Sequence, residues 1–178
     1  SVLGGTPIET LKKDDKVALQ STIPELLGAQ VLLVEDNLIN QELAQTMLEN
    51  LGCEVSVASN GVEALAALGK EDYQLVLMDC QMPQMDGFEA TAVIRRNEQE
   101  SGSDRRLYII ALTANAMEGD RERCLAAGMD DYLAKPMTQN QLRTVLERWL
   151  HPAEKRKTNT RQSHTEQTKT SPAQPMKT

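Results

Sequence analysis

Uninterrupted runs of aliphatic residues alternate with amphipathic stretches five times along the middle of the chain, and this alternation restricts the fold. The first run, residues 31–34, contains only Val and Leu, which is typical of a strand covered on both faces. Further strands are predicted at 55–58, 75–78, 107–112 and 132–134. Apolar residues at helical spacing follow the strands, over 38–51, 60–68, 88–100, 117–127 and 138–150. This order predicts an α/β fold in which a five-stranded parallel sheet carries five helices on both faces.

The segments that flank this pattern differ from it in composition. Residues 29–150 carry twenty acidic and ten basic side chains, whereas residues 151–178 carry six basic and two acidic ones with few aliphatics. We interpret 29–150 as the folded domain, 1–28 as a linker that could be partly helical, and 151–178 as a disordered, basic, polar tail or linker. A body this acidic would repel a phosphate backbone, which argues against direct nucleic-acid binding.

Location and redox context follow from what the sequence contains. No stretch approaches eighteen apolar residues, and the start resembles no signal peptide. The first residue is Ser rather than Met, so we expect a piece of a longer protein. Cys53, Cys80 and Cys124 share no Cys-x-x-Cys spacing, which indicates buried thiols in a reducing compartment rather than a disulfide or zinc framework. We therefore expect a cytoplasmic domain.

Polar residues stand where four of the predicted strands end. Glu35 and Asp36 follow the first strand, Asp79 the third, Thr113 the fourth and Lys135 the fifth. The carboxyl ends of parallel strands lie at one edge of a sheet, so these side chains should converge there. Three adjacent carboxylates require a cation, and oxygen ligands suit Mg²⁺. A lysine and a hydroxyl can bind phosphoryl oxygens, so the sequence predicts a phosphoryl-transfer site with a carboxylate nucleophile.

Four motifs at these positions together resemble the response-regulator receiver domain. They are Val-Leu-Leu-Val-Glu-Asp-Asn ending at residue 37, Leu-Met-Asp-Cys-Gln-Met-Pro-Gln-Met-Asp-Gly at 77–87, Ala-Leu-Thr-Ala at 111–114 and Tyr-Leu-Ala-Lys-Pro at 132–136. The resemblance covers about residues 30–150 and implies a flavodoxin-like, doubly wound fold. Glu-Asp-Asn-x-x-Asn-Gln and Leu-Thr-Ala-Asn-Ala are most similar to receivers fused to hybrid sensor histidine kinases. Such a receiver catalyses its own phosphorylation and dephosphorylation.

The resemblance implies a role for each residue of the acidic site. Asp79 would accept a phosphoryl group from a phosphohistidine. Asp36 would bind Mg²⁺ directly, Glu35 would act through water, and the backbone carbonyl of Gln81 would complete the protein ligands. Lys135 would pair with the phosphoryl group, and the peptide bond after it is expected to be cis. Many family members have Asp where this chain has Glu35, and we expect the metal chemistry to be preserved.

Further roles are implied for residues around that site. Thr113 and Tyr132 resemble the pair that changes conformation on phosphorylation and reshapes the face formed by the fourth helix, fifth strand and fifth helix. Gln81 and Asn115 occupy positions that set the lifetime of the acyl phosphate. Pro83 and Gly87 are interpreted as loop-shaping residues, and Asp86 as the cap of the third helix.

Three apolar residues beside the acidic site, Leu38, Ile39 and Met137, could either pack in the core or dock a histidine-bearing helix. The implied partners are the dimerisation domain of a histidine kinase and a histidine phosphotransfer domain. The parent chain would then be a sensor kinase, which could be anchored in the inner membrane, with its ATP-binding kinase domain outside these residues.

Other functions compete with this interpretation. A haloacid-dehalogenase-type hydrolase would need a second acid two residues after its nucleophile, where this chain has Gln81. A dinucleotide-binding domain is excluded because no Gly-x-Gly-x-x-Gly follows the first strand. A pseudo-receiver that only binds proteins and a stand-alone response regulator remain open. His151 and His164 lie in the polar tail and are not expected to donate phosphoryl groups.

Overall fold

Five parallel strands form one sheet in the order β2-β1-β3-β4-β5. The computed structural model describes residues 26–102, 104–114 and 118–150. The strands are β1 (Gln30–Val34), β2 (Glu54–Ala58), β3 (Leu75–Asp79), β4 (Tyr108–Thr113) and β5 (Asp131–Ala134). The helices are α1 (Leu38–Asn50), α2 (Gly61–Leu68), α3 (Gly87–Ser101), α4 (Glu118–Ala126) and α5 (Gln139–Leu150). This strand order is that of the flavodoxin-like, doubly wound fold, so the predicted fold is confirmed.

Side-chain caps fix where the first three helices begin. The Asn37 side chain accepts hydrogen bonds from the first turn of α1, and Asn60 does the same for α2. Asp86 begins α3 in a reciprocal capping box with Glu89, as predicted for Asp86. These caps satisfy backbone N–H groups that have no partner inside a helix. The predicted bounds differ from the observed ones only at element ends, as for β4, which begins at Tyr108 and includes Thr113.

Two apolar layers cover the sheet, one on each side. Leu33 of β1 belongs to the layer that contains α1 and α5, whereas Leu32 and Val34 belong to the layer with α2, α3 and α4. Successive residues of a strand point to opposite faces, so a strand covered on both sides must be apolar throughout. This arrangement explains the uninterrupted aliphatic run at residues 31–34.

The three cysteines lie in these layers as buried thiols. Cys53 packs in the α1/α5 layer, and the sulfurs of Cys80 and Cys124 are 3.8 Å apart in the other layer. Burial raises the pKa of all three thiols, that of Cys53 to about 11. Their interpretation as small buried hydrophobes is confirmed.

The flanks of the domain fall mostly outside the described residues. Leu26 is buried in the α1/α5 layer, and the Gly28 N–H donates to the carbonyl of Gly52. The predictions for residues 1–25 and 151–178 concern segments outside the described ranges and stay predictions. Of the helices in residues 26–102, 104–114 and 118–150, none has the length and apolar character needed to cross a bilayer.

Candidate functional site

The polar residues predicted to converge do lie together, at the carboxyl edge of the sheet. In the strand register, Val34 of β1 lies opposite Met78 of β3, and Asp79 of β3 lies opposite Leu112 of β4. Glu35 therefore leaves β1 beside the end of β3. Lys135 lies next to the end of β4 because its backbone N–H donates to the carbonyl of Thr113 at 2.7 Å.

Three carboxylates form an acidic cluster at this edge. Glu35, Asp36 and Asp79 each place an oxygen within 4.8 Å of the others. Asp36 is exposed, but Glu35 and Asp79 are only 1% and 3% exposed. Two carboxylates at this separation repel each other by about 3.5 kcal/mol at an effective dielectric constant of about 20. Oxygen donors gathered this closely fit a hard divalent cation such as Mg²⁺.

Lys135 connects two of these acids. Its Nζ lies 3.1 Å from Glu35 Oε2 and 2.9 Å from Asp79 Oδ2. Burial alone would lower the pKa of the ammonium, but the hydrogen bonds and charges of Asp79 and Glu35 outweigh it and raise the pKa. The ammonium is therefore held charged within the cluster. Its peptide bond to Pro136 is cis, as predicted.

The remaining oxygens of the two buried acids have their own donors. Glu35 Oε1 accepts from the backbone N–H of Asn37 and from Nδ2 of Asn40, both at 3.2 Å. Asp79 Oδ1 accepts from the backbone N–H of Gln81 at 3.1 Å. Each buried carboxylate is thus bound from two sides, which fixes its orientation.

Sequence reasoning missed two residues that support Glu35. Asn40 binds its carboxylate, and the buried Gln41 donates from Nε2 to the backbone carbonyl of Glu35. The available signal was their position in the first turn of the helix that follows the acids. In the quoted motif Glu-Asp-Asn-x-x-Asn-Gln they are the last two residues.

Gly87 allows the start of α3 to approach the end of β3. A Cβ built at this position would lie 2.2 Å from the backbone carbonyl oxygen of Asp79. Any larger residue would therefore displace either α3 or the end of β3. The interpretation of Gly87 as a loop-shaping residue thus has a specific cause, namely close backbone approach beside Asp79.

A cleft of about 650 Å³ opens beside the acidic cluster. Asp36, Gln81 and Thr113 line it, as do Phe88 of α3 and Arg123 of α4. The Arg123 guanidinium lies 5.2 Å from the centre of the Phe88 ring. The cleft gives small molecules a route to the edge on which Asp79 lies.

The residues predicted to form a switch lie at different depths. Thr113 is buried at the end of β4, and Tyr132 in the adjacent strand β5 is half-buried against the α2/α3/α4 layer. Asn115, predicted to affect acyl-phosphate lifetime, lies outside the described residues. Gln81, its counterpart after Asp79, is exposed at the cleft.

The residues that could either dock or pack divide into two groups. Leu38 and Ile39, in the first turn of α1, are 71% and 76% exposed. Met137 is half-buried and packs against the α1/α5 layer. It also lines a small groove with Leu43 and Pro136. Leu38 and Ile39 are therefore exposed apolar side chains in the helix that follows the acids, whereas Met137 lies partly in the core beside Lys135 and Pro136.

A doubly wound sheet with an acidic cluster and a lysine at its carboxyl edge defines a class of small α/β domains suited to cation-assisted phosphoryl chemistry. The profile of the response regulator receiver domain matches residues 31–147. The chain therefore belongs to the receiver domain family, and the resemblance drawn from its motifs is confirmed.

Individual relatives and structures agree with this assignment. The chain is 42% identical over 137 residues to "Hybrid signal transduction histidine kinase G" of Dictyostelium discoideum, an alignment that covers 76% of this chain and 4% of that protein. The first curated relatives are much longer, and the chain spans between 4% and 17% of their length.

Two solved structures are informative about the site. One is the receiver domain of sensor histidine kinase PA1611 from Pseudomonas aeruginosa PAO1, with a magnesium ion coordinated in its active-site cleft. It is 46% identical with a TM-score of 0.62, covering 69% of this chain and 98% of that one. The other is a complex of the Saccharomyces cerevisiae histidine phosphotransfer protein Ypd1 with the receiver domain of Ssk1. It is 34% identical with a TM-score of 0.64, covering 70% of this chain and 90% of that one.

Proposed function

We propose that this receiver domain accepts a phosphoryl group on Asp79 from a phosphohistidine, as one step of a phosphorelay. The observation that carries the proposal is the buried Asp79 carboxylate, held between Lys135 Nζ and the Gln81 N–H beside an open cleft. A carboxylate oxygen attacks phosphorus, so that a P–O bond forms while the P–N bond of the phosphohistidine breaks. The released imidazole nitrogen takes up a proton, and no redox change occurs.

Mg²⁺ is the cation that we assign to the acidic cluster. Asp36 and Asp79 would bind it directly, the backbone carbonyl of Gln81 would be a third protein ligand, and Glu35 would act through water. The cation would offset negative charge on the phosphoryl oxygens. Two features support this proposal: the mutual proximity of the carboxylate oxygens and the magnesium ion in the PA1611 receiver structure.

The chain's own residues stabilise and transmit the modification. Lys135 Nζ lies 2.9 Å from Asp79 Oδ2 and can therefore reach an oxygen of a phosphoryl group bound there. We assign Thr113 and Tyr132 as the switch pair. Thr113 ends β4, which pairs with the strand of Asp79, and Tyr132 lies in β5 on the other side of β4. Gln81 at the cleft would govern access of water to the acyl phosphate, with Asn115 as its predicted counterpart.

We assign the exposed side chains of Leu38 and Ile39, together with Met137, as the docking site for a histidine-bearing helix. A histidine phosphotransfer domain or a kinase dimerisation domain would supply that helix. The Ypd1–Ssk1 complex, in which a receiver binds such a protein, supports this choice. We further propose that residues 29–150 are the receiver of a hybrid sensor kinase on the cytoplasmic side of the membrane. Residues 1–25 and 151–178 would be linkers, because Leu26 already packs in the α1/α5 layer.

Phosphoryl incorporation tests the central step. Labelled acetyl phosphate should modify the protein in the presence of Mg²⁺ but not after chelation, and the Asp79→Asn variant should remain unlabelled. Asp120→Asn is the matched control because Asp120 lines the same cleft outside the acidic cluster, and it should be labelled normally. A folded sample that takes no label from acetyl phosphate or from a phosphohistidine protein would contradict the proposal and favour a protein-binding pseudo-receiver.

A separate comparison tests the docking surface. Ile39→Asp should slow phosphoryl transfer from phosphorylated Ypd1 by at least tenfold, since it places a charge in an apolar contact. Labelling by acetyl phosphate should be unchanged. Val62→Asp is the control, because Val62 is also exposed but lies on α2, in the opposite layer. Equal transfer rates for both variants would exclude the proposed surface.

A further inference from the structure

We propose that Asn40 is a positioning residue that holds the Glu35 carboxylate in its metal-binding orientation. The inference rests on the proposed function, in which Glu35 contributes to Mg²⁺ binding through water. Asn40 lies outside the acidic cluster. Its hydrogen bond explains how a glutamate can contribute to metal binding at a position where the shorter aspartate would otherwise suffice.

The two oxygens of Glu35 face different donors. Oε2 binds Lys135 Nζ at 3.1 Å, and Oε1 binds the Asn37 N–H and Asn40 Nδ2, each at 3.2 Å. Among the described residues, Asn40 is the side chain that donates to Oε1. Because the Asn37 donor is backbone, Asn40 is the Oε1 contact that a substitution can remove.

The local sequence builds this contact. Asn37 caps α1, and its Oδ1 accepts from the backbone N–H groups of Ile39 and Asn40 at 3.0 and 3.2 Å. The cap fixes the backbone of Asn40 in the first turn. Its amide is thereby directed back to the residue that follows β1. The spacing Asn-x-x-Asn directly after the two acids thus produces both the cap and the hydrogen bond to Glu35.

Lys135 is the reason that the contact matters for function. Its Nζ is shared between Glu35 and Asp79. When it turns to a phosphoryl group on Asp79, Oε2 of Glu35 loses that donor. Glutamate has one more rotatable bond than aspartate, so its carboxylate needs a second fixed point to stay in place. Asn40 supplies that point from the opposite side of the carboxylate.

Hydrogen bonds behind a ligand commonly change metal affinity by about 10–100-fold when they are removed. Asn40 is exposed, so water can replace part of its contact. We therefore expect Asn40→Ala to weaken Mg²⁺ binding by roughly tenfold, at the lower end of that range. The thermal and urea stability of the fold should change little.

A double-mutant cycle tests this directly, using titration calorimetry with MgCl₂ and no phosphodonor. Asn50→Ala is the matched control, because Asn50 is an exposed asparagine at the other end of α1, and its Mg²⁺ affinity should equal that of the unmodified protein. In a Glu35→Asp background the carboxylate is too short to reach Asn40, so adding Asn40→Ala should have no further effect. An equal loss of affinity in both backgrounds, or none in the first, would overturn the proposal.

A second measurement does not require metal binding. In the nuclear magnetic resonance spectrum of metal-free protein, Glu35→Asp should shift the side-chain amide resonances of Asn40 and leave those of Asn50 in place. Unchanged Asn40 resonances would also overturn the proposal. Both tests are independent of phosphoryl transfer: a protein that passes them but takes no label would contradict the proposed function alone.

Discussion

Replacing Lys135 by Met removes the charge that holds two buried acids together while keeping an unbranched apolar stem of similar length. We expect the metal-free variant to be less stable by about 3 kcal/mol. We further expect that Mg²⁺ restores most of the loss. The reason is the geometry of the site, where the Lys135 ammonium lies within hydrogen-bonding distance of both Glu35 and Asp79.

The magnitude follows from the loss of one charged partner. Removing one partner of a buried ion pair generally costs about 3–5 kcal/mol, and the partly exposed Lys135 belongs at the lower end. The carboxylates of Glu35 and Asp79, within 4.8 Å of each other, repel each other by about 3.5 kcal/mol at an effective dielectric constant of about 20. This repulsion is present in both proteins, but the variant lacks the ammonium that offsets it.

The pH of the measurement decides how much of the effect is seen. Burial would lower the pKa of Lys135, but hydrogen bonds and charge from Asp79 and Glu35 prevail, so its pKa is raised on folding. Such a group contributes its full stability below the pKa of the unfolded chain, about 10.4. The contribution disappears as the pH rises through the folded pKa. The comparison at pH 7.5 therefore measures the whole effect, and the difference between the two proteins should narrow above about pH 10.4.

Urea unfolding followed by circular dichroism, once with a chelator and once with Mg²⁺, is the assay. With a slope of about 1–3 kcal/mol per molar urea, the midpoint of Lys135→Met should fall by about 1–3 M without metal. Lys70→Met controls for the loss of an exposed lysine and should shift little. Adding Glu35→Gln to Lys135→Met should recover stability, since it removes one of the repelling charges. Equal midpoints for Lys135→Met and the unmodified protein in chelator would refute the reasoning.

Three further predictions concern the framework around the site. Gly87→Ala should lower the stability of the fold by about 3 kcal/mol because its Cβ would meet the Asp79 carbonyl. Gly119 has open space around it, so Gly119→Ala should raise the stability by up to about 1 kcal/mol. Comparable urea midpoints for the two variants would contradict this. Asp86→Ala should lower the stability of the fold by about 1 kcal/mol through loss of the α3 cap and leave the Mg²⁺ affinity unchanged. Weaker Mg²⁺ binding in calorimetry would instead show that Asp86 belongs to the metal site. Burial raises the pKa of Cys53 to about 11, so this thiol should resist alkylation at pH 8 until urea unfolds the chain. Rapid alkylation of Cys53 in the folded protein, detected by peptide mapping, would disprove its burial.

The fold was predictable because its rules are local or repetitive. A strand covered on both faces must be apolar at every position, and residues 31–34 satisfy that rule. The caps Asn60 and Asp86 also act within one helical turn. The carboxyl-edge position of Glu35 and Asp79 then follows from parallel topology. None of these inferences needs a distance between residues remote in sequence.

The features of the site that were not predicted depend on distances between residues remote in sequence, or on which face of a helix packs against the sheet. Lys135 binds Glu35 as well as Asp79, and its hydrogen bond to Glu35 joins residues one hundred positions apart. From the sequence, Asn40 is a typical solvent-facing residue of a first helical turn. Only the path of the chain after β1 brings its side chain to the Glu35 carboxylate. For Leu38 the sequence allows both packing and docking, and the way in which α1 lies on the sheet leaves its side chain exposed.

The formal charges at the site give a physical reason for its proposed switching. Three carboxylates and one ammonium give a formal charge of −2, from −3 and +1, which a divalent cation neutralises. In the proposed reaction a dianionic phosphoryl group replaces the charge of Asp79, so the neutralised site would become negative by one unit. The added phosphoryl oxygens then require more donors than Lys135 alone provides. The hydroxyl of Thr113 at the end of the adjacent strand is the near candidate, and its recruitment would leave space that the half-buried ring of Tyr132 can enter. The demand for a further hydrogen bond would thus be the physical origin of the conformational change.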